Sequence, residues 1–449
     1  MVVVGAFLTQ LDASLVNIGL ATVADDLNAP LQTTQWIVSA YLLGLIVGLP
    51  LCSWISRRIG AGRLWLWSLG AFTLASVLCA LAPNVQFLIV CRVLQGMTGG
   101  LLLPAGQTVI AQVAGRALMG RVMSTVGMAL VLGPAAGPVI GGLLISHASW
   151  RWLFLVNLPV GALGLWLGRR FIPLGEPQDT SRFDFPGFVL IGFGLPAVTF
   201  AVSHLGQQQG SAVASFVTPL LLGLIALAGF VRHSLRGPVP LLKTKLFTNP
   251  AFAAASLSSF LSGAIQIGAL TIWALYFQNV RGYSVVDAGL AMASFALGSA
   301  ILPLSGRLTD KFGGGPVSLG GALLTTVAFV PAALLEQNAS LLVLELCLFI
   351  LGVGNALSVV PASTAAYVTV DPPEVPDAVT LINIFLRFGG AIGASLLVAL
   401  LGDQSVSQSS LVIQFHKTFW WLGALSAASV IAAALLISTT RKSDNTTRN

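Results

Sequence analysis

Long apolar runs, separated by short polar segments, follow one another from one end of the 449-residue chain to the other. An α-helix needs about 20 mainly apolar residues to cross a bilayer. The pattern predicts an all-α membrane protein with fourteen transmembrane helices. The predicted spans lie near residues 2–24, 36–57, 64–82, 84–111, 120–146, 151–172, 184–204, 211–232, 250–278, 285–309, 315–335, 339–369, 377–402 and 417–440.

The composition indicates the same class of protein. Hydrophobic residues make up 56% of the chain, charged residues make up 8%, and the mean hydropathy is +0.90, whereas a soluble chain carries roughly 25% charged residues. No basic leader precedes the first run, so we expect no cleavable signal peptide. The four cysteines fall inside apolar runs, which gives neither a disulfide framework nor a metal-ligand spacing.

The distribution of lysine and arginine predicts the orientation in the membrane. If the N-terminus is cytosolic, the cytosolic loops and tail hold 17 of the 22 basic residues and the external loops hold 3. Basic residues favour the cytosolic side, so we expect a multi-pass protein of the plasma (inner) membrane with both termini in the cytosol. One cytosolic loop is acidic, with Asp371, Glu374 and Asp377, but acidic residues count little in this rule.

An internal repeat divides the chain into two halves. Leu49–Arg63 reads LPLCSWISRRIGAGR, and Leu302–Pro316 reads LPLSGRLTDKFGGGP, 253 residues later. Because these segments end the second and the tenth span, we expect two six-helix halves with two extra helices between them. Transporters are commonly built from such repeats, with the substrate site between the halves. The expected segments are 1–172 (first half), 173–245 (two extra helices and linkers), 246–440 (second half) and 441–449 (cytosolic tail).

The fifth span is unusually rich in glycine and proline. Gly133, Gly137 and Gly141 recur every four residues, so on a helix they form a nearly straight groove without side chains. Such a groove lets a second helix approach closely in a bilayer, and two prolines favour a bend. We interpret this span as a moving part, with ordinary small-residue packing as the alternative. The motif comprises Gly127, Gly133, Pro134, Gly137, Pro138, Gly141 and Gly142.

Two charged residues lie deep inside predicted spans. Asp12 is about 20 Å from the external end of the first span, and Arg92 is about 12 Å below the external surface. Ionisable residues at such depths are costly and commonly functional. We interpret Asp12 as a proton carrier paired with Arg92, with Gln95 one turn along. The alternatives are a structural Asp12 hydrogen-bonded to a neighbouring helix, and an Arg92 that snorkels or binds backbone carbonyls.

Other polar and aromatic residues inside spans are candidates for a cavity lining. Amides can equally join helices by hydrogen bonds, and aromatic rings can equally fill the core or interfacial belt. The four histidines lie near span ends, and no glycine-rich phosphate loop followed by lysine occurs, so we expect no enzyme site, no metal, no cofactor and no ATP, with the proton as coupling ion. The candidate cavity residues are Asn17, Gln95, Gln266, Trp273, Tyr276, Asn383 and Arg387.

Several ordered segments carry a resemblance to a known family. Together they resemble the fourteen-span drug/proton antiporters of the major facilitator superfamily, and the likeness covers nearly the whole chain. The resemblance implies that fold, a protonatable aspartate at Asp12, and exchange rather than uptake, because the glycine–proline groove resembles the antiporter motif. The segments are LDASLVNIGLA (Leu11–Ala21), WIVSAYLLG (Trp36–Gly44), RVLQGMTGG (Arg92–Gly100), WRWLFLVNLPVG (Trp150–Gly161), YFQNVRGYS (Tyr276–Ser284) and NIFLRFGGAIG (Asn383–Gly393).

The loop after the second span departs from this family. The family pattern is Gly-x-Leu-Ala-Asp-Arg-x-Gly, and in this chain Ser53 replaces its first glycine and Arg57 replaces its aspartate. In the family that aspartate helps to latch the halves together in the outward-facing state. The sequence therefore predicts an intact latch in the second half and does not decide whether the first half has one. The expected cytosolic gate comprises Arg57, Arg58, Gly60, Gly306, Asp310, Lys311 and Gly313.

The resemblance implies export of amphipathic, cationic drugs or toxic compounds in exchange for protons. One alternative is an exporter of an endogenous metabolite, with Arg387 as the counter-charge of an anionic substrate. A second alternative is a non-transporting membrane receptor, which the departure at Arg57 suggests. The expected partners are a small-molecule substrate and the lipid bilayer, with a periplasmic adaptor protein as a further candidate and no nucleic acid.

Overall fold

The computed structural model describes residues 1–177, 182–203, 212–237, 239–334, 339–402 and 408–446, and the regular structure in these ranges is helical. Two 3₁₀ turns, Thr244–Thr248 and Pro372–Glu374, accompany the α-helices. The helices are α1 (Val2–Asp26), α2 (Leu31–Thr34), α3 (Trp36–Gly48), α4 (Leu51–Ile59), α5 (Ala61–Ala80), α6 (Val85–Val113), α7 (Gly115–His147), α8 (Trp152–Leu155), α9 (Asn157–Phe171), α10 (Phe185–Ser203), α11 (Ala212–Arg236), α12 (Pro250–Asn279), α13 (Val285–Ala291), α14 (Ala293–Ser299), α15 (Leu302–Phe312), α16 (Gly314–Leu334), α17 (Leu341–Val368), α18 (Val375–Leu401) and α19 (Gln408–Thr446).

The described helices account for fourteen spans. Thirteen helical stretches are long and apolar enough to cross a bilayer, and a bent pair, Gln32–Gly48 with Leu51–Ile59, adds a fourteenth when it is counted as one span. The two parts of the pair meet at 53°, and Pro50 lies between them. Proline lacks a backbone N–H and its ring clashes with the preceding turn, which explains the break. The predicted fold class is thus confirmed.

Most helices end within a few residues of the predicted spans, and the last helix differs most. It begins at Gln408, nine residues before the predicted start at 417, and continues to Thr446. Backbone hydrogen bonds within a helix do not require an apolar sequence, so this helix extends past its apolar run. Residues 441–446 of the expected tail are therefore helical, and 447–449 lie outside the described residues.

Buried apolar side chains form three clusters. One cluster joins both halves and includes Leu103 of α6, Leu195 of α10 and Leu381 of α18. Of the other two, one lies within the second half, from α12 to α19, and the other within the first half, from α1 to α8. The shared cluster lies toward the end of the bundle that holds the α4–α5 and α17–α18 connections, Met1 and the C-terminal end of α19, here called the terminus face. Apolar packing therefore joins the halves at the terminus face.

The two extra helices lie beside the seam between the halves. α10 and α11 pack against each other, and α10 also contacts α3 of the first half and α18 of the second half. Ile191 and Leu195 of α10 and Phe230 of α11 belong to the shared apolar cluster. The extra pair therefore forms a wall along one side of the interface between the halves.

Candidate functional site

The Asp12 carboxylate lies at the centre of a buried polar network in the first half. Arg92 Nη1 donates to Asp12 Oδ2 at 2.5 Å. Gln95 Nε2 and Asn157 Nδ2 each donate to Asp12 Oδ1 at 2.8 Å. Both amides also donate to Ser76 Oγ, at 2.8 and 3.2 Å. Asp12, Arg92, Gln95 and Asn157 have no solvent-exposed surface, so this ion pair is fully enclosed in the described state.

Arg92 has further partners that hold its side chain in place. Its Nε donates to the carbonyl oxygen of Ile37 at 3.0 Å, and its Nη1 also donates to Gln95 Oε1 at 2.7 Å. Its guanidinium lies 4.1 Å from the centre of the Tyr41 ring, and Tyr41 donates to the Thr9 carbonyl oxygen at 3.1 Å. The guanidinium therefore keeps contacts with α3 and α6 that do not depend on Asp12.

The pairing of Asp12 with Arg92 was predicted from the sequence, and three other members of the site were not. Arg92 and Gln95 share one face of α6 because residues three apart are neighbours on a helix. Ser76, Asn157 and Tyr41 come from α5, α9 and α3. An intramembrane asparagine such as Asn157 is a signal, but the sequence does not say which helix it faces.

Three of the predicted cavity residues lie elsewhere. Asn17 is exposed and donates within its own helix, to the Ala13 carbonyl oxygen at 3.2 Å, so it is outside the Asp12 network. Trp273 and Tyr276 are 0% and 1% exposed and belong to the buried apolar cluster of the second half. Their rings pack with those of Phe277, Phe415 and Phe419. This aromatic packing buries large apolar surfaces, which explains their place in the core.

Asn383 connects the halves instead of lining an open cavity. It is 3% exposed, and its Nδ2 donates to Gln107 Oε1 of the first half at 2.6 Å. The same group donates to the Val379 carbonyl oxygen at 2.8 Å. This bond joins α18 to α6 in the interior of the bundle.

Gln266 lines a cavity inside the second half. Its neighbours in the lining include Ser262, Asn355 and Ser358, and none of the residues that line it is charged. The lining comes from α12, α14, α16, α17 and α19. This cavity is polar and neutral, in contrast to the charged network around Asp12.

The packing of equivalent helices relates this cavity to the Asp12 network. A side chain added at Gly137 of α7 meets Ser14 of α1, and one added at Gly393 of α18 meets Ala264 of α12. Gly393 of α18 therefore corresponds to Gly137 of α7, 256 residues earlier in the chain, and Ala264 of α12 corresponds to Ser14 of α1, 250 residues earlier. A displacement of 250 residues makes Ser262 the counterpart of Asp12.

The predicted glycine groove receives α1. A Cβ atom at Gly133 would lie 2.6 Å from Gln10, one at Gly137 would overlap Ser14, and one at Gly141 would lie 3.1 Å from Ile18. The contacts at Gly133 and Gly137 leave no room for a side chain. The bare face of α7 therefore allows α1 to approach closely, and α1 is the helix that carries Asp12.

The prolines of α7 add a polar link to the same contact. Pro138 has no backbone N–H, so the Pro134 carbonyl oxygen lacks its usual helical donor. Ser14 Oγ donates to that oxygen at 3.1 Å. The Pro138 side chain lies outside the described residues. The Ser14 hydroxyl of α1 thus replaces the backbone donor that Pro138 lacks in α7.

Two other members of the motif lie outside the groove. Gly127 faces the second half, where an added Cβ meets Val360 at 3.1 Å and Leu302 at 3.3 Å. Gly142 has no atom within 4 Å of such a Cβ. The motif of seven residues therefore divides into a groove for α1, a contact with the second half at Gly127, and an unpacked Gly142.

The first latch at the terminus face centres on Arg57. Its Nη1 donates to Asp377 Oδ2 at 2.6 Å and to Ser53 Oγ at 2.5 Å. Ser53 Oγ donates to Asp377 Oδ1 at 2.6 Å, and the backbone N–H of Lys243 donates to the same oxygen at 3.3 Å. Arg57 is 5% exposed and Asp377 is 0% exposed. Arg57 therefore joins the halves through a buried ion pair.

The second latch centres on Asp310. Its Oδ1 accepts from the backbone N–H of Gly120 at 2.7 Å, and its Oδ2 accepts from that of Arg121 at 3.3 Å. Arg121 Nε also lies 3.5 Å from Oδ2. A Cβ atom at Gly306 would overlap the Ser124 side chain, so this glycine allows α15 to approach α7. Asp310 thus joins the second half to the first.

The other predicted gate residues have different roles. Gly60 and Gly313 have φ angles of +92° and +85°, a region that favours glycine. They form the equivalent turns after α4 and α15. Arg58 and Lys311 are exposed and lie over the rings of Trp54 and Phe312. These two ring contacts lie outside the two latches.

Comparisons with known proteins agree with this architecture. A family model described as Major Facilitator Superfamily matches residues 2–394. The chain is 34% identical over 409 residues to the Multidrug resistance protein B homolog of Mycobacterium tuberculosis, over 90% of this chain and 75% of that protein. It is 30% identical over 440 residues to MdtD of Pectobacterium atrosepticum, also named for multidrug resistance, over 97% and 94% of the two chains.

Solved structures show the same fold at lower identity. A proton:xylose symporter, XylE, aligns with a TM-score of 0.68 and 15% identity, over 96% of this chain and 93% of that chain. This likeness concerns the arrangement of the helices and not the substrate.

Proposed function

This chain belongs to the major facilitator superfamily of membrane transporters, and we propose that it exports amphipathic small molecules in exchange for protons. It is a multi-pass membrane transporter and not an enzyme. The names of its relatives concern multidrug resistance, which supports substrates of drug type. The observation that carries the proposal of proton exchange is the buried Asp12 carboxylate, paired with Arg92 in the membrane interior.

Protonation of Asp12 changes the energy of the contact between α1 and α6. In the described state, the charged carboxylate accepts hydrogen bonds from Arg92, Gln95 and Asn157. A proton removes the charge and weakens the ion pair, while Arg92 keeps its bond to the Ile37 carbonyl oxygen. We therefore propose that a proton on Asp12 releases α1 from α6.

The glycine groove connects this event to the second half. α1 lies in the groove of α7, and the N-terminal part of α7 holds Gly120 and Arg121, which contact Asp310. A shift of α1 therefore reaches the second latch through one helix. We propose that this route couples the proton site to the opening of the terminus face.

The expected orientation determines the direction of exchange. The excess of basic residues predicts that the terminus face is cytosolic. The two latches then close the cytosolic side in the described state, and their opening admits substrate from the cytosol. Protons enter from the opposite face, where each half has its own apolar core. An interaction of this chain with a periplasmic adaptor protein stays a prediction.

The charge of the substrate separates two candidate functions. Cationic drugs follow from the resemblance to drug/proton antiporters. Export of an anionic metabolite is favoured by Arg387. Its side chain lines a cavity and makes no hydrogen bond or ion pair with any described residue. The receptor alternative rested on the departure at Arg57, and the ion pair of Arg57 with Asp377 removes that reason for it.

The test is transport by the purified protein in proteoliposomes. An imposed proton gradient should drive accumulation of members of a panel of lipophilic cations and organic anions. We expect Asp12→Asn to abolish proton-driven transport and to retain passive binding. Ser262→Ala changes the equivalent position in the second half and should leave transport within about twofold of wild type. Proton-driven transport by Asp12→Asn at the wild-type rate would overturn the proposal.

A further inference from the structure

A cavity at the seam between the halves contains one charged side chain. It is lined by Ile46 and Leu49 of α3, Leu195 and Thr199 of α10, and Arg387 and Phe388 of α18, among others. We propose that this cavity binds the acidic headgroup of an amphipathic anion, a carboxylate or a phosphate ester with an alkyl chain. Binding there does not require proton exchange, and transport of the bound anion rests on the proposed function.

The charge of Arg387 has no hydrogen-bond or ion-pair partner among the described residues. It lies twelve residues into α18, about 18 Å along the helix from its start at Val375. Within the described part of the chain, no hydrogen bond or ion pair involves Arg387. The other deep arginine, Arg92, has an aspartate and a backbone carbonyl. Charged residues at such depths normally pair with one another or with backbone carbonyls.

The remaining lining is suited to an apolar chain and not to a second charge. Thr199 is the one uncharged polar side chain among the lining residues, and its hydroxyl already donates to the Leu195 carbonyl oxygen at 2.9 Å. A guanidinium binds carboxylate and phosphate through two parallel hydrogen bonds. An acidic group supplied by a ligand therefore satisfies Arg387, and the apolar walls contact the start of its chain.

The size of the cavity fits a headgroup better than a whole drug. Only about 20 Å³ inside it is open to the centre of a water-sized group, whereas sites for drug-sized ligands enclose about 300–1,000 Å³, so in the described state the cavity admits no more than the tip of an acidic headgroup. Its α10 wall presents exposed side chains on its other side, including Phe193 and Phe200. The alkyl chain of the ligand therefore leaves the cavity beside α10 and lies in the bilayer.

The position of Arg387 connects this cavity to the first-half charge network. Arg387 lies within electrostatic range of Tyr41, and the Tyr41 ring faces the Arg92 guanidinium at 4.1 Å. An anion on Arg387 therefore changes the electrostatic field at the edge of the Asp12 network. Leu195 and Thr199 of α10 form one wall of this anion site, so the site depends on one helix of the extra pair.

The experiment measures equilibrium binding to the full-length protein in nanodiscs of zwitterionic phosphatidylcholine, without a proton gradient. The probes are radiolabelled decanoate, decyl phosphate and decyltrimethylammonium, which differ mainly in headgroup charge. We expect both anions to bind at least about tenfold more tightly than the cation, because a charge-assisted, two-point contact is made only with the anions.

Different variants test the charge of Arg387 and the space inside the cavity. Arg387→Gln should weaken anion binding at least about tenfold, whereas Arg387→Lys keeps the charge but loses the two-point contact and should weaken anion binding less than Arg387→Gln does. Ile46→Trp fills the cavity while Arg387 is kept, and should also weaken binding. Lys417→Gln removes an exposed positive charge and should bind as wild type. Equal binding of anions and cation by wild type, or undiminished anion binding by a folded Arg387→Gln protein, would overturn the proposal.

Two further experiments identify the source of the anion, and either result supports the proposed anion site at Arg387. If phosphatidylglycerol in the nanodisc competes with decanoate, the ligand is a bilayer lipid. If it does not compete and decanoate moves under a proton gradient in wild type only, the ligand is a transported substrate. Binding that persists while proton-driven transport fails contradicts the proposed function and leaves the anion site intact.

Discussion

At the residue scale, Asp12 illustrates how a charge is kept in the membrane interior. One oxygen accepts from a guanidinium and the other from two amides. Removing one partner of a buried ion pair costs about 3–5 kcal/mol, because the other charge is left uncompensated. A proton on Asp12 has a similar effect on Arg92, so protonation is an energetically large event in this network.

The amide of Asn157 offers a test that leaves both charges in place. Asn157→Ala removes a hydrogen bond to the Asp12 carboxylate, and bonds to charged groups contribute about 1.5–3 kcal/mol. We expect a lower thermal midpoint and slower proton-driven transport. Asn17→Ala is the matched control, because that amide is exposed and bonds within its own helix. Equal effects of the two substitutions on transport would contradict a role for Asn157 at the proton site.

At the element scale, α7 connects two functions along one helix. Its N-terminal part contacts Asp310 of the second half, and its groove receives α1 of the first half. Helices in a bilayer associate through close packing of small residues. The spacing of Gly133, Gly137 and Gly141 therefore has a specific partner in this fold.

A pair of glycine substitutions tests the groove. Gly137→Ala places a methyl group where it overlaps the Ser14 side chain, whereas the methyl group of Gly142→Ala has no atom within 4 Å. Overpacking of this kind typically costs about 1–3 kcal/mol. We expect the first variant to unfold at lower temperature and to transport poorly, and the second to match wild type in both assays. A Gly137→Ala protein with wild-type stability and transport would show that the groove is not tightly occupied.

The helices also show how much of the fold and of the candidate site could be predicted from the sequence. Long apolar runs predicted the helices, and deep charges predicted Asp12, Arg92 and Gln95 as a site, because such residues contrast with their surroundings. Ser76 and Asn157 were missed because their importance depends on which helix faces α1. Trp273 and Tyr276 were candidates for a cavity with core packing as the alternative, because an aromatic residue in a core and one in a binding site have the same local sequence.

At the scale of the whole molecule, the two latches are related by the internal repeat with their charges reversed. Arg57 and Asp310 occupy equivalent positions 253 residues apart. Arg57 pairs with Asp377 of the second half, and Asp310 pairs with Arg121 of the first. The acidic loop that departs from the orientation rule thus supplies the partner of Arg57. The sequence could not show this, because the two residues lie 320 positions apart.

Exchanging the charges tests the first latch. Arg57→Asp places two carboxylates together and should separate the halves at the terminus face. The double variant Arg57→Asp with Asp377→Arg should restore the contact. Spin labels at the exposed residues Phe171 of the first half and Phe312 of the second half report the distance between the halves. We expect longer distances in the single variant only, and unchanged distances in the single variant would contradict the latch.

The repeat also shows that the two halves differ in chemistry. Ser262, the counterpart of Asp12, lines a cavity whose lining residues are uncharged. Asp12 pairs with Arg92 in a network with no exposed surface. The proposed proton site therefore belongs to the first half, and we expect about one proton to be exchanged at it.

Proton release on substrate binding tests this claim most directly. Purified protein in weakly buffered detergent, with a pH-sensitive dye, receives a substrate identified by the transport assay. Binding and protonation are reciprocally linked, so wild type and Ser262→Ala should each release about one proton per molecule, while Asp12→Asn binds substrate without release. Undiminished proton release by Asp12→Asn would contradict Asp12 as the proton site.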